Sequence, residues 1–198
     1  MEEKINLTVL VSTSDNYIHL LEHFKKYVDK NWELKTEIII ACENKTTDKY
    51  HCISSGNKSW GFRNLKALDK IKTDYVFWLL EDYLLTHKYS EKEIKRYLED
   101  MDQLNMDRLQ ICPSGFQKYS KEVHSNKYKK IKNGSDYLIS MQPSIWKKDF
   151  IYEVLKPEYN PWEFEKLGTK ICKSDSTYID IEITEKPSTC HGIITSFN

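Results

Sequence analysis

Three strand-length apolar runs alternate with amphipathic helical patterns in the first half of this 198-residue chain. The runs span residues 6–12, 36–42 and 74–80. The helical patterns span residues 17–30, 62–71 and 90–105. The first two have apolar residues three and four positions apart, and the third begins with a serine-led capping box. Strands that are apolar on both faces and alternate with helices are typical of a mainly parallel sheet covered on two sides. We therefore predict an α/β fold built as a three-layer sandwich.

The second half follows a less regular order. A polar, lysine- and tyrosine-rich segment at 115–134 predicts a hairpin or a loop, and the polar stretch at 45–59 predicts another loop. Strands are predicted at 109–112, 137–141, 178–183 and 192–196, and helices at 146–155 and 162–172. No internal repeat or low-complexity linker interrupts the chain, so we predict one domain, 1–198, with halves at 1–105 and 106–198.

Charge balance and the length of the apolar runs exclude several classes of protein. Lys and Arg total 30, as do Asp and Glu, and this balance argues against a nucleic-acid partner. The longest apolar stretches are strand-length and the N-terminus is not a signal peptide, so we expect a cytoplasmic protein, with peripheral association at the inner membrane face as an alternative. The five scattered cysteines predict reduced thiols and no structural zinc site.

Polar side chains follow each of the three apolar runs. They are Ser12, Thr13, Ser14, Glu43, Glu81 and Asp82. Ligands of open parallel sheets bind beyond the carboxyl ends of the strands, so these side chains are candidates for one nucleotide site. We expect the residues after the first two runs, Ser12 to Ser14 and Glu43, to hold base and ribose. We expect the acidic pair after the third run, Glu81 and Asp82, to hold a divalent cation that bridges a diphosphate. The alternative is that the acidic pair only ends a strand in solvent.

Motifs of several other nucleotide enzymes and hydrolases are absent from the sequence. There is no GxGxxG after the first strand, no GxxxxGK[ST] and no GxSxG. These absences argue against a dinucleotide enzyme, a P-loop enzyme and a serine hydrolase.

Several short blocks together resemble a known family. They are Ser12-Thr13-Ser14, Ser59-Trp60-Gly61-Phe62-Arg63-Asn64-Leu65, Leu79-Leu80-Glu81-Asp82-Tyr83, Gln142-Pro143-Ser144-Ile145-Trp146 and Asn160-Pro161-Trp162-Glu163-Phe164-Glu165. The set resembles small bacterial inverting GT-A glycosyltransferases of capsule or lipopolysaccharide assembly. The resemblance spans residues 7–193, although only the short blocks are specific, and it implies a GT-A-like (Rossmann-like) fold.

The resemblance implies a metal site that departs from the family pattern. The family's DxD motif falls on Glu81 and Asp82, with Asp82 as the metal ligand, but Leu80 stands where the motif has its first acid. His191 matches the histidine that completes the metal shell, and the implied cofactor is Mn²⁺ or Mg²⁺. The alternative for His191 is an ordinary surface histidine.

The resemblance also implies catalytic and binding roles. It makes Glu163 the general base, with Glu165 as the second candidate. It places Arg63 and Asn64 at the nucleotide, and Trp60, Gln142, Trp146 and Trp162 at the substrate. Desolvation beside Trp162 would raise the pKa of Glu163 toward neutrality, as a base requires. The alternatives are that the two glutamates are favourable first-turn charges, that the tryptophans anchor helices, and that Arg63 pairs with a surface acid.

The function that these features predict is transfer of a sugar from a nucleoside-diphosphate sugar, with UDP the expected nucleotide, to a glycan or lipid-linked acceptor. One alternative is nucleotidyl transfer that makes the activated sugar. Another is an inactive nucleotide- or sugar-binding module, which the incomplete DxD keeps open. A homodimer is a further expectation for so short a chain, and the lysines of 118–132 are a candidate contact for anionic lipid.

Overall fold

The computed structural model describes residues 4–111, 117–124, 127–174, 176–180 and 190–192. Strands in these ranges are β1 (Leu7–Ser12), β2 (Ile38–Cys42), β3 (His51–Ser54), β4 (Tyr75–Leu80), β5 (Tyr83–Leu85), β6 (Arg108–Gln110), β7 (Tyr119–His124), β8 (Tyr128–Ile131), β9 (Ser144–Lys147), β10 (Thr177–Asp180) and β11 (Cys190–Gly192). The α-helices are α1 (Leu21–Asn31), α2 (Trp60–Leu68), α3 (Glu91–Gln103), α4 (Lys148–Val154) and α5 (Pro161–Ile171).

Nine of the described strands form one sheet, in the order β3-β2-β1-β4-β9-β6-β10-β8-β7. β1 pairs in parallel with β2 and β4, β2 pairs in parallel with β3, and β6 pairs in parallel with β10. β9 runs antiparallel to both of its neighbours, and so does β8. Only these two strands therefore oppose the common direction, and the predicted mainly parallel sheet is confirmed.

Helices cover both faces of the sheet and make the three predicted layers. On one face, α1 and α3 pack against β4 through buried residues such as Phe24, Tyr97 and Phe77. On the other face, α2, α4 and α5 pack against the same strand around Trp78 and Phe164. Alternate residues of one strand thus enter different cores, which is why these strands are apolar along their whole length.

Local sequence explains where several helices begin. Ser59 and Ser90 each accept a hydrogen bond from the backbone N–H three residues on, at the starts of α2 and α3. Asn160 and Glu163 form a reciprocal capping box at the start of α5, with Pro161 in the first turn. α2, α3 and α5 therefore begin within a few residues of their predicted starts.

Other predicted elements are wrong or displaced. β3 lies inside the stretch 45–59, which was predicted to be a loop, and residues 137–141 contain no strand. The predicted helix 146–155 divides into the last residues of β9 and α4, since Trp146 pairs with Val76 of β4. The hairpin prediction for 115–134 is confirmed by β7 and β8. The predicted strand residues 112, 181–183 and 193–196 lie outside the described residues.

The described residues bear on the predictions about membrane spans and about cysteines. No helix among them has both the length and the apolar character needed to cross a membrane. Cys42, Cys52 and Cys172 are free thiols, and Cys42 is fully buried at the end of β2. Burial raises the pKa of the Cys42 thiol to about 12, which suits a small core residue and not a nucleophile.

Candidate functional site

The carboxyl ends of β1, β2 and β4 lie level with one another. Ser12 is opposite Ala41 on one side and Leu80 on the other. The residues that follow these strands therefore emerge at one edge of the sheet, as the sequence predicts. This edge, with the α2 residues that reach it, is the candidate site.

Arg63 of α2 connects two of these strand ends. One terminal nitrogen of its guanidinium donates to the carbonyl of Thr13, and the other donates to the carboxylate of Glu43. Arg63 is only 4% exposed, and its Nε is buried without a hydrogen-bond partner among the described residues. The alternative in which Arg63 pairs with an acid is thus realised, but the acid is a member of the predicted site.

A loop anchored by Asp15 extends the site beyond the predicted residues. The Asp15 carboxylate accepts hydrogen bonds from the backbone N–H of Lys45 (2.8 Å) and from the side-chain amide and backbone N–H of Asn44 (3.0 Å each), and these bonds hold its pKa below the usual range. Its own N–H donates to Glu43 Oε2 at 2.8 Å. The sequence could have indicated this contact, because Asp15 follows β1 closely and Asn44 follows β2 closely.

Ser12 and Asn64 lie beneath the site. They are 1% and 0% exposed, and the Ser12 hydroxyl donates to the Asn64 side-chain oxygen. Trp78 Nε1 donates to Ser12 Oγ at 2.9 Å, and Asn64 Nδ2 donates to the Trp60 carbonyl at 2.8 Å. Neither side chain has surface left for a nucleotide, so these two residues fix α2 against the sheet instead of meeting the predicted ligand.

The acidic turn joins β4 to β5 at the same edge. Glu81 is 9% exposed, and burial, reinforced by the neighbouring Asp82 charge and opposed by Arg63, raises its pKa to about 7. Burial also raises the pKa of Asp82, whose Oδ1 is buried without a hydrogen-bond partner among the described residues. Two desolvated carboxylates beside a buried guanidinium form a site that favours a cationic or proton-sharing ligand.

The backbone of His191 lies close to the acidic turn. β11 pairs antiparallel with β5, and His191 lies opposite Leu84, two residues beyond Asp82. No group of three or more His, Cys, Asp or Glu side chains in the described ranges is arranged to bind a metal by itself. The metal roles of Asp82 and His191 accordingly remain predictions.

The four predicted substrate residues differ in exposure. Trp60 stacks on Trp78 with ring centroids 5.5 Å apart, and Trp146 is 1% exposed in the same aromatic core. Trp146 therefore has no ring face open to a sugar. Trp162, by contrast, is 76% exposed at the start of α5. Gln142 is partly exposed and lies two residues before Ser144, where β9 begins opposite Trp78 of β4.

The two predicted catalytic glutamates occupy different environments on α5. Glu163 is exposed, and its Oε2 accepts the N–H of Asn160 at 2.9 Å in the capping box. Because Trp162 projects into solvent, the expected desolvation of Glu163 beside it is not found. Glu165 is half-buried, its pKa is raised by burial, and its Oε1 accepts the N–H of Met141 at 2.8 Å.

Comparison with known proteins finds similarity in structure alone. No protein-family model matches the sequence, and no curated protein matches it. Among solved structures, S. aureus TarS matches with TM-score 0.63 and 12% identity over 94% of this chain and 36% of that chain. TarS 1-349 in complex with UDP matches with TM-score 0.63 and 13% identity, and its complex with UDP-GlcNAc with TM-score 0.58 and 14% identity.

The structural match has a defined extent. The chain spans 59% and 57% of the two liganded TarS structures, with 94% of its own length covered in each. At such identities the likeness is one of fold, and the GT-A-like α/β sandwich predicted from the sequence is the fold of this chain.

Proposed function

We propose that this chain is a glycosyltransferase that binds a nucleoside-diphosphate sugar at the carboxyl edge of β1, β2 and β4. The observation that carries the proposal is the convergence of Arg63, Glu43 and the acidic turn at one sheet edge. The fold is shared with TarS structures that hold UDP and UDP-GlcNAc. UDP is accordingly the first donor nucleotide to test.

In this proposal the nucleotide lies along the loops after β1 and β2. Ser14 supplies backbone and hydroxyl groups, and the buried Thr13 shapes this loop through the bond from Arg63 to its carbonyl. Glu43 and Asp15 keep the two loops in register through their shared hydrogen bonds. The buried Arg63 Nε, which has no partner in the described part of the chain, supplies positive charge toward the phosphates. Ser12 and Asn64 act by fixing α2.

A divalent cation fits the acidic turn. Asp82 has a buried carboxylate oxygen without a partner in the described ranges, and Glu81 is a second carboxylate beside it. We propose that these two residues, with His191, would hold Mn²⁺ or Mg²⁺. When bound, the cation would neutralise charge on the departing diphosphate.

Catalysis in the proposal is a single displacement with inversion. Glu163 takes the proton of the acceptor hydroxyl as that oxygen forms a bond to the anomeric carbon, and the bond from that carbon to the diphosphate breaks on the opposite face. The capping box engages Glu163 Oε2 and leaves the carboxylate exposed to solvent and acceptor. Trp162, exposed one residue earlier, offers a ring face for an acceptor sugar.

The proposal extends to the acceptor and to the location of the protein. We propose a glycan or lipid-linked acceptor of the capsule or lipopolysaccharide type, and a cytoplasmic enzyme that associates with the inner membrane face. The lysines of the β7–β8 hairpin and its flanks suit contact with anionic lipid. We also propose that the protein forms a homodimer.

Isothermal titration of UDP, GDP, CDP and TDP, each with and without Mn²⁺, tests the donor site. We expect UDP to bind most tightly, with affinity that rises with Mn²⁺ and falls in Asp82→Asn. Glu158→Gln, a change at an exposed acid outside the site, is the matched control. If no nucleotide binds under any condition, the proposal fails.

The alternatives separate on the reaction itself. A glycosyltransferase releases UDP from UDP-GlcNAc when an acceptor is present, whereas a nucleotidyltransferase makes diphosphate from UTP and a sugar phosphate. An inactive module binds nucleotide and does neither. Glu163→Gln should bind UDP as tightly as wild type and lose transfer, and unchanged transfer by that variant would remove Glu163 from the mechanism.

A further inference from the structure

Residues 138–141, which we call the inner loop, are held on one side by a buried arginine. Arg108 is fully buried, and its guanidinium donates to the carbonyls of Leu138 (3.0 Å) and Ser140 (3.1 Å). It also donates to Ser140 Oγ (2.8 Å) and to Gln110 Oε1 (2.7 Å). Alternate carbonyls of the inner loop are therefore bound by one side chain.

On the other side, α5 binds the amides of the inner loop. Thr169 Oγ1 accepts the N–H of Ile139 at 3.0 Å, and Glu165 Oε1 accepts the N–H of Met141 at 2.8 Å. Glu165 and Thr169 are four residues apart and so share one face of the helix. The inner loop thus makes the alternating hydrogen bonds of a strand, but side chains replace the neighbouring strands.

Charge couples the two sides of the inner loop. Burial lowers the pKa of Arg108 to about 9, and the nearby Glu165 carboxylate opposes that shift. Arg108 also lies over the ring of Trp146, 4.7 Å from its centroid. The Glu165 charge therefore acts on Arg108 only through space, whereas its contact with the inner loop is the hydrogen bond from Met141.

The inner loop leads directly to the candidate site. Ser144 of β9 is opposite Trp78 of β4 in an antiparallel register. β9 begins at Ser144 and runs antiparallel to β4, so the residues just before it approach the end of β4 where Leu80 precedes the acidic turn. Gln142 and the inner loop therefore enter the sheet from the edge that carries the candidate site.

We propose that Glu165 is a positioning residue, and that with Arg108 and Thr169 it fixes the inner loop so that Gln142 is presented to the donor at the acidic turn. The proposal rests on the proposed function, and it removes Glu165 from the role of second candidate base. To hold the inner loop, residue 165 needs only a side-chain oxygen that accepts the hydrogen bond from the Met141 N–H. The negative charge that a catalytic base would need plays no part in that hydrogen bond.

Substitutions that remove either the charge of Glu165 or its hydrogen-bond-accepting oxygen test the proposal. Glu165→Gln keeps an oxygen for the Met141 N–H, and we expect transfer within about threefold of wild type, because hydrogen bonds of this kind contribute about 1 kcal/mol. Glu165→Ala loses that oxygen, and we expect a donor KM raised about tenfold with a smaller change in kcat. Thr169→Val should act like Glu165→Ala, and Thr169→Ser like wild type. Lys166→Gln, exposed on the same helix, is the control.

Amide hydrogen exchange reads the inner loop without any substrate. We expect exchange at Met141 about fivefold faster in Glu165→Ala, exchange at Ile139 similarly faster in Thr169→Val, and neither change in Glu165→Gln or Thr169→Ser. Circular dichroism with urea unfolding establishes that each variant is folded during the measurement.

Three results would overturn the positioning role. One is loss of transfer in Glu165→Gln with unchanged exchange at Met141, which would make the carboxylate catalytic. Another is unchanged exchange in both Glu165→Ala and Thr169→Val. The last is faster exchange in these variants with an unchanged donor KM. Failure of the proposed function looks different, since the wild-type protein itself would then show neither UDP binding nor transfer.

Discussion

Arg63 and Glu43 form an ion pair at the carboxyl edge of the sheet, with side chains 5% and 27% exposed. The pair joins α2 to the end of β2, and through the Thr13 carbonyl it also reaches the end of β1. A charge pair at this depth makes the geometry of this sheet edge depend on both partners.

Glu43→Ala should destabilise the protein by about 2 kcal/mol, because it leaves the Arg63 guanidinium buried without its counter-charge. UDP affinity should fall in the same variant as the two loops separate. Glu22→Ala is the matched control, since Glu22 is 64% exposed in its pair with Lys49, and exposed pairs contribute at most about 1 kcal/mol. Urea unfolding and isothermal titration measure both effects. Equal losses of stability in the two variants would contradict the prediction.

Stability should depend on pH through Glu81. Its folded pKa of about 7 lies above the usual 4.5, so between these values the folded protein binds more protons than the unfolded chain. The contribution of Glu81 to stability is therefore present below pH 4.5 and lost as pH rises through 7, by about 3 kcal/mol at most.

Glu81→Gln removes that dependence. In metal-free protein, we expect the variant to gain stability relative to wild type on going from pH 5 to pH 8, as measured by urea unfolding. The exposed Glu158→Gln should show no such gain. A difference between Glu81→Gln and wild type that is the same at both pH values would refute the assignment.

Two tryptophans predicted to contact substrate should respond differently to truncation. Trp146 is 1% exposed, so Trp146→Ala should cost about 3–5 kcal/mol as a large core truncation. Trp162 is 76% exposed, so Trp162→Ala should change stability by less than about 0.5 kcal/mol while raising the acceptor KM several-fold. Unfolding curves and acceptor titrations provide the two readings. An unchanged acceptor KM would show that Trp162 does not contact the acceptor.

Gly61 is required by the close approach of α2 to the chain before α5. A Cβ there would lie 2.1 Å from the Lys156 carbonyl oxygen and 3.0 Å from that of Pro157. Gly61→Ala should therefore destabilise by about 2 kcal/mol or more, despite the better helix propensity of alanine.

Gly168 of α5 provides the comparison. A Cβ at that position would lie 3.2 Å from the Ile139 side chain and 3.4 Å from the Val154 carbonyl oxygen. A side chain can adjust where a backbone carbonyl cannot, so Gly168→Ala should cost about 1 kcal/mol or less after the helix gain of about the same size. Thermal or urea unfolding of both variants gives the order. Gly61→Ala as stable as Gly168→Ala would contradict it.

Local pattern alone predicted three strands and three helices in the first half of the fold, although it missed β3 and β5. The apolar runs at 6–12, 36–42 and 74–80 became β1, β2 and β4, because strands buried on both faces need continuous apolar sequence. The capping serines placed α2 and α3 equally well, since a cap is a contact between residues three apart. The polar residues after the strands were brought together because parallel strands end at the same edge.

Only the tertiary structure decided what each site residue contacts. Ser12 and Asn64 are polar residues of types that often bind ligands. Packing of α2 on the sheet turns their side chains inward, toward Trp78 and toward each other. The segment 137–141 has the apolar character of a strand, yet Arg108 and Glu165 bind its backbone in place of a neighbouring strand. Contacts between residues so far apart in the chain depend on packing, and no local periodicity encodes them.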